Sequence, residues 1–343
     1  MDFNWKEFYL QFKHPFGVSS NIRKETLSIF IQLDGWGKTG YGEACLPTYL
    51  GEDREGTLLF FEKASSLLKK WDQDLDVENI LQLVHQIAPG NYAAKAAIDM
   101  ALNDLNGKVR GKPFYELAGL KKPEPRSTSF TIGIDAPEKL EQKIIEAASF
   151  SILKIKTGTA EDKALINRVR SFTDKALYVD VNQGWTDKHQ ALDMIHWLKD
   201  QGVILVEQPL PVQMREEMRW LTQRSPLPTI ADESVKRLND LEQMNGAFSG
   251  VNIKLMKCTG LGEALKMIAY CRKEGIKILL GCMAESSCGT SAMAQLTGLA
   301  DYIDLDAPLL YINDPFQGVT YQEGQVYIKD APGIGAAPHD QLR

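Results

Sequence analysis

The chain has 343 residues, 44% of them hydrophobic and 24% charged, with a formal net charge of −6. That supplies apolar material for one large barrel with an extra lobe or for two ordinary domains. The acidic balance argues against a nucleic-acid partner, and no run comes near the ~20 apolar residues of a membrane span.

MDFNWKEFYLQFKHPF at the start lacks the pattern of an export signal, and Cys45, Cys258, Cys271, Cys282 and Cys288 form no CxxC pair. The expectation is a cytoplasmic protein with reduced thiols. Residues 1–125 read as an α+β lobe. Residues 27–33 (LSIFIQL) read as a strand, and the turn Asp34-Gly35-Trp36-Gly37 leads into GYGEA as a hairpin or meander. Residues 55–71 and 76–88 have helical spacing, and an alanine-rich helix is expected over 91–107 with Gly107 as its cap. KKPEPRS (121–127), with two prolines and four charges, marks a boundary.

From 126 to 314 the texture alternates. β-rich runs fall at 129–133, 152–156, 177–182, 203–209, 228–233, 250–255, 276–283 and 301–308, with amphipathic helical segments between them. Eight strands in alternation with helices predict an α/β fold of the TIM-barrel type. A doubly wound sheet is the rival, but no GxGxxG follows a strand. Residues 315–343 are rich in Gly and Pro and are expected to pack back on the first lobe.

In such a barrel the chemistry sits at the C-terminal ends of the strands. Lys156, Asp180, Glu207, Asp232 and Lys254 fall there at intervals of 24, 27, 25 and 22 residues, one repeat each. Side chains alternate along a strand, so Lys154 shares a face with Lys156, Asp180 with Asn182, and Asp304 with Asp306, while Ile155, Val181 and Leu305 face the helices. Three carboxylates without His or Cys suit a hard cation such as Mg²⁺; helix caps and salt bridges are the simpler alternative. A lysine whose pKa is lowered by a neighbouring ammonium or metal is a usable base. Lysines on both sides of a carbon beside a carboxylate would let a proton leave one face and return to the other.

LKIK at 153–156, DVNQGW at 180–185, VEQP at 206–209, ADES at 231–234 and NIKLMK at 252–257 closely resemble the enolase superfamily, muconate-lactonising subgroup. GYGEA (40–44) and GKPFYELAG (111–119) fit that family's capping domain, so the likeness covers nearly the whole chain. The resemblance implies a modified (β/α)7β barrel over 126–314 beneath an N-terminal α+β capping domain. It implies Mg²⁺ on Asp180, Glu207 and Asp232, with Lys156 and Lys254 as opposed acid/base catalysts. Lys154 would tune Lys156, Asn182 would lie beside the metal, and a homo-oligomer is left open.

Several reactions share this scaffold. DLDAP (304–308) looks like the Asp-x-Asp motif of the dipeptide epimerases, whose two acids clamp a substrate ammonium. By the same resemblance Thr131, Cys282 and Ala284 contact substrate. The implied reaction is 1,1-proton transfer at the Cα of a dipeptide's C-terminal residue. An o-succinylbenzoate synthase or cycloisomerase is the alternative, and a non-enzymatic metal-binding barrel the third reading. Relatives that act on Ala-Glu carry an arginine five residues after a Pro-Phe pair. Here the pair is Pro15-Phe16 and the matching residue is Asn21, with Arg23 and Lys24 just beyond. The expectation is a small or apolar C-terminal residue, as in Ala-Ala or Ala-Val. Glu285 and Asp99 are left open as further contacts.

Overall fold

The computed structural model describes residues 1–340 apart from 19, 20, 47, 72, 134–136 and 245, and describes residues 16–18, 21, 22, 48, 137 and 138 by backbone alone. The Asn21 side chain, on which the substrate expectation turned, therefore lies outside the described residues.

The chain opens with β1 (Asp2–Val18), β2 (Asn21–Gly35) and β3 (Lys38–Cys45), an antiparallel sheet in that order. Gly35 pairs with Lys38 across a two-residue turn in which Trp36 (φ 49) and Gly37 (φ 70) are both left-handed, matching the twist of the strands they join. Three helices follow: α1 (Arg54–Leu68), α2 (Val77–Gln86) and α3 (Tyr92–Arg110). The carboxylates of Asp53 and Asp76 cap the first two by accepting from Gly56 N and Asn79 N. The alanine face of α3 lies flat on β3. A Cβ at Gly42 would come within 2.0 Å of the Ala97 carbonyl, and one at Gly40 within 2.1 Å of that of Ala101, so the glycines of GYGEA permit this approach. The helix does not stop at Gly107. It runs to Arg110 and is capped by left-handed Gly111 (φ 68), whose N–H donates to the Gly107 carbonyl. Gly107 serves packing instead, because a Cβ there would lie 2.5 Å from the Gly333 backbone.

After the short α4 (Phe114–Leu117) and β4 (Arg126–Ser127), eight parallel strands alternate with helices. They are β5 (Ser129–Ile132), α5 (Pro137–Glu146), β6 (Ile152–Lys156), α6 (Asp162–Arg170), β7 (Ala176–Asp180), α7 (Lys188–Asp200), β8 (Val203–Glu207), α8 (Arg215–Thr222), β9 (Thr229–Ala231), α9 (Leu238–Gln243), β10 (Gly250–Ile253), α10 (Leu255–Cys258), α11 (Leu261–Glu274), β11 (Lys277–Gly281), α12 (Ser287–Ala294) and β12 (Tyr302–Asp304). The sheet curls into a nearly closed barrel. Its last seam is bridged by side chains, with Ser129 Oγ donating to Asp304 (2.6 Å), Leu305 N to Thr128 Oγ1 (2.8 Å) and Thr131 N to Asp306 (2.6 Å). Tyr178, Leu205, Ile230 and Leu279 fill the barrel interior. Ile155, Val181 and Leu305 belong to the separate core against the helices, as strand alternation requires. No helix among the described residues is long and apolar enough to cross a membrane.

The C-terminal segment contains β13 (Phe316–Gln317), β14 (Thr320–Gln322), β15 (Gln325–Tyr327) and β16 (Ala337–Pro338), with β15 paired to β4. The Phe316 ring lies 5.1 Å from that of Phe30, and Ile334 N donates to Asp104 at 3.0 Å.

Two carboxylates of the first lobe cap helices of the barrel. Glu43 on β3 accepts from Ser286 N (2.9 Å) and Gly289 N (3.0 Å) at the start of α12, and from the Ser28 and Ser286 hydroxyls. Asp99 on α3 accepts from Leu261 N (2.6 Å) and Gly262 N (3.2 Å) at the start of α11. Burial pushes the Asp99 carboxyl up to about 7. The unfolded chain, with a carboxyl near ~3.9, therefore binds fewer protons in the intervening window, and this group's contribution to stability falls as pH rises through it. Asp99→Ala is expected to cost about 1–2 kcal/mol, the worth of an N-cap. Denaturant unfolding at pH 5 and pH 8 checks both points, and the wild-type advantage should be smaller at pH 8.

Candidate active site

The ladder places the charged strand ends side by side. Lys156 is in register with Asp180, and Asp180 with Glu207. Asp232 follows β9 directly, and Lys254 follows β10 as the residue before α10. Asp180, Glu207 and Asp232 are buried. Each is met by ammonium groups: Lys156 to Asp180 at 2.7 Å, Lys154 to Asp180 and Glu207 at 3.1 Å each and to Asp304 at 2.6 Å, Lys254 to Asp232 at 2.7 Å. Asn182 accepts from Lys156 Nζ at 3.0 Å. Its backbone is left-handed (φ 46), as are Gln183 (φ 69) and Gln208 (φ 39), so the loops leaving β7 and β8 turn sharply at the site.

These contacts set the charges. Burial pulls the Lys154 pKa down, but Asp304, Glu207 and Asp180 outweigh it and hold that lysine well above the usual range. Burial likewise opposes charge on Lys254, and Asp232 with Glu207 overcomes it, so this pKa is raised. Asp180 and Asp232 stay below the usual carboxylate range against the pull of burial, because Lys156 and Lys154 flank the first and Lys254 and Lys257 the second. Glu207 is pushed up to about 7 by burial and by Asp180 beside it.

A cavity of about 390 Å³ opens above this floor. Lys154, Lys156, Asn182, Asp232 and Lys254 line it on one side, and Thr131, Cys282, Ala284, Asp304 and Asp306 on the other. Asp180 and Glu207 lie beneath it. The two acids of DLDAP differ in circumstance. Asp304 is neutralised by Lys154, whereas Asp306 accepts from Thr131 N and is pushed up to about 7 by burial and by Asp304. Asp306 is thus the better placed of the two to receive a cation from the cavity. Glu285 is buried beneath that wall, accepting from Met283 N at 2.8 Å.

Sequence reasoning passed over several participants. The Tyr178 hydroxyl and Asn252 Nδ2 both donate to Glu207. Each stands two residues before a chosen strand-end residue and so on its face, so alternation could have found them. Lys257, one helical turn after Lys254, is fully buried and donates to the Asp232 carboxylate and carbonyl at 2.7 Å each. Gln208 accepts from Asp232 N and Ser234 N and so sets the ADES loop. Arg23 lines the cavity, and among the described residues it forms no ion pair with a carboxylate.

Among the described residues no three His, Cys, Asp or Glu side chains stand together as a ready metal cage, since each carboxylate leans on an ammonium. The donor chemistry nonetheless fits a hard divalent cation. Three buried carboxylates end adjacent strands, and the buried Glu233 Oε2 at the cavity wall has no hydrogen-bond partner.

A barrel floored by buried carboxylates, with Lys156 and Lys254 lining the cavity at its mouth and a second lobe beside it, places the chain among the enolase-type enzymes. The chain belongs to the mandelate racemase / muconate lactonizing enzyme family: residues 8–119 match its N-terminal domain and residues 137–342 match the enolase C-terminal domain-like family. An L-Ala-D/L-Glu epimerase of Bacteroides thetaiotaomicron is 45% identical over 329 residues, 96% of this chain and 85% of that protein. A hydrophobic dipeptide epimerase of Enterococcus faecalis is 32% identical, over 95% of this chain and 96% of that one. The solved dipeptide epimerase from Enterococcus faecalis, complexed with Mg and L-Leu-L-Tyr, superposes with a TM-score of 0.92 at 31% identity, covering 98% of this chain and 99% of that one. The present chain is an isomerase.

Proposed function

We propose that the protein is a Mg²⁺-dependent dipeptide epimerase acting at the Cα of the C-terminal residue. The observation that carries this reading is the placement of Lys156 and Lys254 at the ends of β6 and β10, on either side of the carboxylate floor, with Asp306 across the cavity. Asp180, Glu207 and Asp232 would hold Mg²⁺, which supplies positive charge to the substrate's carboxylate as the Cα proton leaves. Lys156 takes or returns the proton on one face and Lys254 on the other. Lys257 keeps a hold on Asp232 from its other oxygen, so Asp232 does not depend on Lys254 for its countercharge. Asp306 receives the α-ammonium, Thr131 fixes Asp306 through its backbone N–H, and Cys282 and Ala284 form the wall beneath the first lobe. Lys154 locks Asp304 in place.

For the second residue we favour an acidic side chain, because Arg23 lines the cavity and a carboxylate is the natural partner of a guanidinium. A small or apolar residue is the second reading, favoured by Phe12, Met283 and Leu310 on the same walls. Incubating a dipeptide library with Mg²⁺ in D₂O and reading mass shifts separates them. Ala-Glu should exchange faster than Ala-Ala or Ala-Val, and Arg23→Met should lower kcat/KM for Ala-Glu on the order of 10–100-fold, the worth of a charge-assisted hydrogen bond. Exchange confined to acids without an ammonium would instead support a synthase or cycloisomerase.

A further inference from the structure

A second cavity, of about 380 Å³, lies at the foot of the barrel, the opposite end from the first, and shares no lining residue with it. Its walls are strand beginnings. Ser129, Ile152 and Tyr302 are the first residues of β5, β6 and β12, and Ile204 is the second of β8. The ladder accounts for the space. Leu177 pairs with Val203 but Tyr178 with Leu205, so Ile204 is an extra residue in β8, and such a bulge bends its strand. The β4–β15 pair covers the cavity from outside the barrel. Arg126, Ser127 and Gln325 line it there, and Thr128 N donates to the Gly324 carbonyl (3.0 Å) in the turn between β14 and β15. Every lining residue is buried or half-buried. Two of them reach the catalytic layer, the Tyr178 hydroxyl donating to Glu207 and Ser129 Oγ to Asp304.

We propose that the foot of the barrel is a second ligand site, and that it takes a small carboxylic acid with an apolar body. Its volume is in the range of small-molecule sites and close to the 390 Å³ of the first cavity. The charge comes from Arg126. Among the described residues its guanidinium donates to the Asp301 carbonyl at 3.4 Å and forms no ion pair. The neighbouring carboxylate, Asp301, is already taken by Arg272 Nη1 (2.9 Å) and Ile278 N (2.8 Å). Lys277, whose Nζ stands 6.0 Å from the centre of the Tyr302 ring, adds positive charge on that side. A guanidinium half-withdrawn from water is matched by a planar anion that accepts two N–H bonds at once. The apolar part has its own seat. Ile152, Ile204 and Tyr302 pack against the interior cluster of Tyr178, Leu205, Ile230 and Leu279 but stay half-buried. An apolar group resting on them takes their remaining surface out of water. Inorganic phosphate has the charge without the body, and an amine has the body with the wrong sign. Binding here needs neither metal nor dipeptide, so the inference goes beyond the epimerase reading and does not depend on it.

The test titrates phenylacetate into the full chain, with Mg²⁺ and without dipeptide, and follows binding by saturation-transfer NMR. Saturable binding is expected with a Kd on the order of 1 mM or tighter, which about ten well-seated heavy atoms supply. Phenylacetamide and phenethylamine, which keep the ring and lose the negative charge, should bind about tenfold more weakly or worse. Arg126→Met should weaken phenylacetate on the order of 10–100-fold, whereas Lys254→Met, at the other end of the barrel, should leave its Kd within about twofold. If Arg126→Met does not fold by thermal unfolding, Arg126→Gln should give a loss in the same direction. Absence of saturable binding, equal binding of the amide, or an affinity unmoved in a folded Arg126 variant overturns the site. A loss confined to Lys254→Met also overturns it, because the acid would then sit at the mouth. The epimerase reading stands or falls separately, on dipeptide exchange.

Discussion

Lys156→Met is expected to suppress exchange of the Cα proton in one epimer far more than in the other, and Lys254→Met to do the reverse. Each lysine serves one face, so losing it blocks removal from that face while the opposite lysine still washes deuterium into the other epimer. The loss on the affected face should be on the order of 10²–10⁴-fold, the usual contribution of a positioned acid or base. Both variants should fold. Without Lys254, Asp232 keeps Lys257 at 2.7 Å, and without Lys156, Asp180 keeps Lys154 at 3.1 Å. Following each epimer separately in D₂O by NMR, with thermal unfolding alongside, checks this. Equal losses for both epimers in both variants would remove the opposed-base mechanism.

Lys154→Met has a different expected result. This ammonium is buried among Asp304, Asp180 and Glu207, and its methionine variant leaves Asp304 and Glu207 without an ion pair among the described residues. Breaking a buried pair from one side costs about 3–5 kcal/mol, so the metal-free variant should unfold at markedly lower denaturant than the wild type or Lys156→Met. Added Mg²⁺ should recover part of the loss, by about 2.7 kcal/mol at a hundredfold excess over its dissociation constant. A Lys154→Met protein as stable as the wild type in chelator would show that Lys154 is not the internal countercharge.

The ring of strand ends was legible because βα repeats have near-constant length, so residues a repeat apart recur at one height. Strand β6 was read to the residue, but most later strands were read too long. Their final residues leave the ladder in turns such as left-handed Asn182 and Gln208, which an apolar or charged pattern does not reveal. Strand β1 escaped notice because its apolar set changes face: Phe3 packs into the main core, whereas Leu10 and Phe12 pack with Tyr311 in another. That switch breaks the alternation a reader looks for. Lys257 was hidden for a related reason, since it belongs to the short helix after β10 and not to the strand whose period located Lys254.

The trans-capping by Glu43 and Asp99 bears on how such proteins can be recombined. An excised barrel would present the first turns of α11 and α12 with backbone N–H groups that lack the partners the first lobe supplies. A chimera grafting a foreign lobe onto this barrel would need carboxylates at both positions, whatever substrate the new lobe was chosen to admit. Whole-lobe transfers are therefore restricted to donors that carry the same two keys.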